Sequence, residues 1–279
     1  MKGSRCRRKG EQYEKIPNFA VQIIYPIIVR LITRGNMTQL YTTYADLYHK
    51  MYQSFIDYDE EYQFYKALLD KNGANNILEI GCGTGQLARR FLRDGYAYTG
   101  IDVSMPMLEY ARKELPSHHF HQMDMREITL PSTFDGVIIT ARSISYILSN
   151  ADVMATFRSV KKVIKNGGVL IFDFIDAKNF IPSINASEVI LHEVVIDNVR
   201  YKRESIFERR IDTSWNWIWK STFMKEGRTG YQPIGFDEAE LRAFTDDELE
   251  IFLTLTGFRI LQVLDRKVYA FNTKVMVAQ

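Results

Sequence analysis

Residues Ile77 to Gly85 read ILEIGCGTG, an apolar run carrying one acid that opens into a loop with glycine at every second position. A second apolar run closes on Asp102, 21 residues after Gly81. A strand, a tight glycine turn, a helix and a further strand ending in a carboxylate commit such a chain to parallel strands joined by helical crossovers. They also prepare a nucleoside site, because glycine lets the backbone approach a ligand and the carboxylate meets ribose hydroxyls. The spacing narrows the ligand. A dinucleotide fingerprint, GxGxxG, needs glycine at position 86, where Gln86 stands, whereas Gly81, Gly83 and Gly85 form GxGxG. A pyrophosphate-binding loop is thereby disfavoured.

The remaining pattern extends the α/β reading. Apolar and aromatic residues recur at helical spacing from Tyr41 to Leu69, with Leu47, Met51, Phe55, Phe64 and Leu68 as core candidates, so two helices are predicted before the first strand. Strand-like runs at 77–80, 98–101, 118–122, 136–140 and 169–174 alternate with helical patterns at 86–94, 105–114 and 151–164. That alternation gives a mostly parallel sheet with helices on both faces. Asn166-Gly167-Gly168 reads as the cap ending the third of these helices. From Ser187 to Lys225 residues alternate with period two around a turn at Asp197-Asn198, which predicts an antiparallel β insertion over 186–235. Thr245 to Glu248 is a capping box leading into Leu249, Phe252 and Leu253, and two last strands at 258–264 and 268–277 follow.

Composition sets limits on function. With 279 residues, 46% hydrophobic and 25% charged, the chain suits a soluble enzyme with a substantial core, and a net charge of +2 exerts no strong pull on nucleic acid. Cys6 and Cys82 stand apart, so no disulfide framework or zinc cluster is expected, and a reducing, cytoplasmic setting fits. Residues 1–36 form a basic, then apolar, extension, possible to dispense with, ahead of a domain spanning 37–279. Its apolar part, Phe19 to Ile32, is interrupted by Gln22, Pro26 and Arg30 and falls short of the roughly 20 residues of a membrane span.

The GxGxG loop, preceded by Glu79 and followed by Asp102, resembles the first motifs of the class I S-adenosylmethionine (SAM) methyltransferases. Phe134 to Ile139 resembles their fourth motif, and no Pro-Pro-aromatic sequence of the adenine N6 enzymes follows it. The resemblance implies a Rossmann-like, seven-stranded sheet closed by an antiparallel pair, with SAM as cofactor. It implies that Gly81, Cys82, Gly83, Thr84 and Gly85 approach the cofactor, Glu79 serves its amino-acid end, and Asp102 accepts from both ribose hydroxyls. Asp124 and Met125 would take the adenine, with Val103 and Met107 as its other wall and Thr140 bordering cofactor and substrate. Tyr44-Ala-Asp-Leu-Tyr48, Met123 to Arg126 and Ser143 to Ile147 look closer still to small-molecule members, the sugar N,N-dimethyltransferases and glycine N-methyltransferase-like enzymes. By that likeness Tyr44 joins the cofactor contacts, and Tyr52 and Tyr146 flank the transferring methyl group.

The expected reaction is in-line methyl transfer to a nitrogen or oxygen of a small-molecule acceptor, with His49 or Asp46 as a base if the acceptor is a hydroxyl. Trp215, Trp217 and Trp219 share one strand face and either roof the substrate or pack against the domain or a second subunit, which allows a homodimer through the insertion. His118, His119 and His121 lack further ligands, so no metal is expected. A silent SAM-binding partner subunit is the alternative, followed by an RNA or protein methyltransferase and by an NAD-linked oxidoreductase.

Overall fold

The computed structural model describes residues 38–115, 119–210, 215–268 and 271–279. The extension 1–36 and His118 lie outside the described residues. Two helices, α1 (Ala45–Phe55) and α2 (Tyr58–Lys71), precede β1 (Asn76–Ile80). Then come α3 (Gln86–Arg93), β2 (Ala97–Asp102), α4 (Met105–Glu114), β3 (His119–Gln122), β4 (Phe134–Ile139), α5 (Asn150–Val163), β5 (Ile164–Ile175) and α6 (Ala177–Ser183). The insertion is β6 (Ile190–Ile196), β7 (Val199–Arg209), β8 (Asn216–Gly227) and β9 (Gly230–Arg242). The chain ends with α7 (Asp246–Leu255), β10 (Ile260–Val268) and β11 (Phe271–Ala278).

The main sheet has seven strands in the order β10-β11-β5-β4-β1-β2-β3. It is parallel except at β11, which runs antiparallel to both β5 and β10. The central strands are buried on both faces, as their near-continuous apolar runs require. Leu78, Val137 and Phe172 face α5 and α7, while Ile77, Ile138 and Ile171 face α2, α3 and α4. Local polar groups fix where the helices begin: the Asp57 carboxylate, Ser104, Ser149 and Thr245 each accept from a first-turn amide.

One expected cap is something else. Helix α5 ends at Val163, and Asn166, Gly167 and Gly168 lie inside β5, where the pairing with β4 jumps from Phe134–Ile164 to Gly136–Val169. Gly167 takes φ +80, and a Cβ on Gly168 would stand 2.9 Å from the Asp135 carbonyl. The glycines therefore make a bulge at the strand start, because only a residue without Cβ passes that carbonyl.

β6 to β9 form a separate four-stranded antiparallel sheet, extending to Arg242, beyond the sequence estimate of 235. Its pairing places His192, Arg203, Ser205, Phe207, Trp217 and Trp219 on one face. That face packs on α6 and Phe271 through Phe207 and Trp217, and on α1 through Val194 and Phe223. The second sheet thus roofs the C-terminal edge of the main one.

Candidate functional site

Between roof and sheet edge lies a cleft of about 530 Å³, lined at one end by Gly81, Asp102 and Met125 and at the other by Tyr52, Arg203 and Trp219. It opens above β1 and β4, the adjacent strands from which the sheet order diverges, where open α/β sheets bind ligands. A smaller recess of about 60 Å³ adjoins it, lined by Glu79, Thr84, Thr140 and Tyr58.

The glycine loop is a shaped surface with four of its amides already spent. Gly81 and Cys82 donate to the Ile101 carbonyl at 2.8 and 3.1 Å, Gly83 to Asp102 at 2.9 Å, and Gly85 to the Cys82 carbonyl at 2.9 Å. Gly81, Gly83 and Gly85 all have left-handed φ, and a Cβ on Gly81 would fall 2.2 Å from the Ser143 hydroxyl. Close approach and backbone sign, not free donors, explain the glycines. The Cys82 thiol is buried beneath the loop, 2.9 Å from where a Cβ on Gly100 would be, and burial pushes its pKa up.

Each Asp102 oxygen accepts one backbone bond, from Gly83 and from the Ser104 amide at 2.8 Å, which leaves lone pairs on both for a diol. Its burial raises its pKa. Glu79 accepts from Tyr98 at 2.5 Å and from Thr140 at 2.8 Å. Burial pushes Glu79 up to about 7, against the pull of those two hydrogen bonds. Such a carboxyl is ready to ionise against an incoming ammonium. Met107 is buried beside Gly83, whereas Val103 is 48% exposed at the cleft edge, and Met125 lies across from them. Asp124 also lines the cleft, but Arg126 holds both its oxygens at 2.6 to 3.1 Å and depresses its pKa. An acid at the amino-acid end, a carboxylate for the ribose and apolar walls for a base fit SAM.

The other end is aromatic. The Tyr41 and Tyr146 hydroxyls share a hydrogen bond of 2.7 Å, and burial raises both phenol pKa values. Tyr52 accepts from Arg203 at 2.7 Å and stacks on Tyr48 at 4.0 Å. Ala141 and Arg142, entering the turn that carries Tyr146, both hold φ near +60, a strained loop pinned by the Arg142 amide on Asp173 at 2.8 Å. Trp217 is fully buried among Phe180, Phe207 and Phe271, while it and Trp219 also line the cleft, so roofing and packing are one role.

Four expected site residues line neither the cleft nor its recess; Gly85 packs instead on α4 and β3, where a Cβ would stand 3.1 Å from Ala111 and 3.5 Å from Phe120. Tyr44 covers Gly235, where a Cβ would stand 2.2 Å from its ring, and packs on Phe223, clasping the first helices to the roof outside the cleft. Asp46 accepts from Tyr110 at 2.9 Å, and His49 stacks on the same ring, so neither lines the cleft as a base. Tyr41, His192, Arg203 and Glu238 are among the cleft residues that sequence reasoning missed. Tyr41 opens the tyrosine-rich segment and was signalled by it; position 203 is one charge among several on its strand and carried no signal.

A family profile described as a methyltransferase domain matches residues 77–168. YqeM of Bacillus subtilis (strain 168), a methyltransferase by name, is 38% identical over 138 residues, 48% of this chain and 55% of that protein. The dTDP-3-amino-3,4,6-trideoxy-alpha-D-glucopyranose N,N-dimethyltransferase of Streptomyces venezuelae is 31% identical over 100 residues, 36% of this chain and 42% of that protein. The chain thus spans about half the length of these relatives. The crystal structure of Streptomyces venezuelae DesVI superposes with a TM-score of 0.73 at 24% identity, covering 84% of this chain and 97% of that one. Loop, acids and fold together resemble those of the class I SAM-dependent methyltransferases, and residues 77–168 match their methyltransferase domain.

Proposed function

We propose that the chain transfers the methyl group of SAM to a nitrogen of a small-molecule acceptor held beneath the roof sheet. The observation that carries this is the Tyr41–Tyr146 pair, two neutral, hydrogen-bonded phenols in the acceptor half of the cleft. Bound SAM supplies an activated methyl on a sulfonium, whose leaving group departs as a neutral thioether. Glu79 and Asp102 hold that donor at its two polar ends. Tyr146 and Tyr52 orient the acceptor, and the roof excludes water. Phenols with raised pKa values do not deprotonate a hydroxyl, whereas an amine arriving neutral needs no strong base. The acceptor of the sugar dimethyltransferase named above, an amino sugar, supports the same choice.

Transfer of tritium from methyl-labelled SAM across amines, alcohols and carboxylic acids tests the reading. Label on amines alone, lowered by Tyr146→Phe, is the expected result. No labelled product with any acceptor, in a protein that binds S-adenosylhomocysteine, rejects catalysis in favour of a silent SAM-binding subunit.

A further inference from the structure

The acceptor half of the cleft holds a buried cation that forms no ion pair with any described residue. Arg203 is 2% exposed, donates from Nη1 to Tyr52 and from Nη2 to His192 Nδ1 at 3.3 Å, and lies 5.1 Å above the Trp219 ring. Its Nε–H has no acceptor, and no carboxylate of the described residues pairs with it. The Trp217 and Trp219 indole N–H groups and the Ser145 hydroxyl are likewise buried without partners. All four side chains line the cleft. Buried polar groups are ordinarily satisfied, and a buried charge is ordinarily paired, so orphan donors lining the same cleft as a guanidinium describe the missing ligand by its complement.

We infer that this end of the cleft is a carboxylate-binding subsite for the methyl acceptor, built on Arg203 with the indole N–H of Trp219 beside it. The inference rests on the reading that the cleft takes a methyl acceptor. Register explains how the subsite forms: Arg203 faces His192 and Phe223 across the strands, and the next pair on that face is Ser205 with Ser221. Two small serines, bonded to each other at 3.0 Å, leave room for the guanidinium to lie back towards Trp219. The charges beside the guanidinium select a monoanion, and Glu240, which also lines the cleft, is held by Arg210 and Asn216. His192 is driven down to about 4 by burial and by Arg203, so it is neutral and adds no second cation. Asp237, on the same face of β9, accepts the Leu40 amide at 3.2 Å and lies near enough for Arg203 to pull its pKa down, although the two form no ion pair. Arg126 is held by Asp124. One guanidinium matches one carboxylate, and a phosphate dianion would leave negative charge buried.

Calorimetric titration of the full chain loaded with S-adenosylhomocysteine, using benzoate, its neutral isostere benzamide, and inorganic phosphate as probes, tests this. Benzoate is expected to bind at least tenfold more tightly than the other two. Arg203→Met should weaken benzoate at least tenfold and leave S-adenosylhomocysteine affinity within twofold. Trp219→Phe, which keeps the ring and removes the N–H, should weaken benzoate a few-fold, and it decides the matter if Arg203→Met does not fold. Benzamide or phosphate binding as well as benzoate, or benzoate binding that ignores both substitutions, overturns the subsite. Loss of S-adenosylhomocysteine binding alone would instead count against the SAM reading, because benzoate is titrated into unloaded protein in parallel.

Discussion

The two halves of the cleft treat their polar groups in opposite ways. On the glycine-loop side the amides of Gly81, Cys82, Gly83 and Gly85 have partners within the fold, as do Glu79 and Asp102. On the roof side Arg203 Nε, Trp217 Nε1, Trp219 Nε1 and the Ser145 hydroxyl have none. A satisfied wall is rigid before its ligand arrives and recognises by shape and by spare lone pairs. An unsatisfied wall raises the energy of the empty protein, by about 1–3 kcal/mol for each orphan, and regains it on binding. The donor half is thus prebuilt for one invariant molecule, while the acceptor half is specified by what it lacks.

The largest test of that contrast is Trp217→Ala. If the roof is a fixed part of the core, removing a fully buried indole that contacts Phe180 and Phe207 should destabilise the protein by about 3–5 kcal/mol in urea unfolding. Unchanged stability would make the roof a loosely held lid and dissolve the comparison. Next comes Gly81→Ala, which must place a Cβ against the Ser143 hydroxyl at φ +76. Left-handed strain and overpacking together, on the order of 3 kcal/mol, predict about a 100-fold loss of S-adenosylhomocysteine affinity by calorimetry, with the helical signal retained. Asp102→Asn is the milder change. It exchanges one of two acceptor oxygens for a donor opposite a backbone amide and removes the charge, and a loss of about 10- to 100-fold follows from the strength of hydrogen bonds to charged groups. A full-affinity Asn variant would mean that the carboxylate only props the loop.

The same division governs what the sequence revealed. Gly81, Gly83 and Asp102 were legible because a positive φ, a close approach and a strand-end acid are local demands that few residue types meet. Ser104 and Thr245 were legible as caps for the same reason. Arg203 was not: on its strand it alternates with Lys202 and Glu204, and which face turns inward is decided by pairing with His192 and contact with Tyr52, 151 residues away. Tyr44 misled because one helical turn separates it from Tyr48 and the sequence does not say which tyrosine meets Phe223 and which the cleft. Asn166-Gly167-Gly168 misled because a left-handed glycine serves a helix cap and a strand bulge equally well.

The smallest predicted effect concerns proton release on the satisfied side. Burial holds Glu79 up at about 7 in the empty protein, so near neutrality a large fraction carries a proton. A cofactor ammonium at this position favours the ionised carboxylate and must expel that proton. For an acid whose pKa is raised in the free state and lowered in the complex, affinity grows as pH rises through the free-state value. S-adenosylhomocysteine should therefore bind up to about tenfold more tightly at pH 8 than at pH 6, or about 1.4 kcal/mol. Calorimetry in buffers of different ionisation enthalpy should register net proton release at pH 7. Glu79→Gln keeps the side chain's size without a titrating group, one of its two hydrogen bonds reversing so that the amide donates to a hydroxyl, and its affinity should stay flat across the same interval. If wild type is equally flat, Glu79 braces Tyr98 and Thr140 without meeting the ammonium, and the donor half is specified by shape alone.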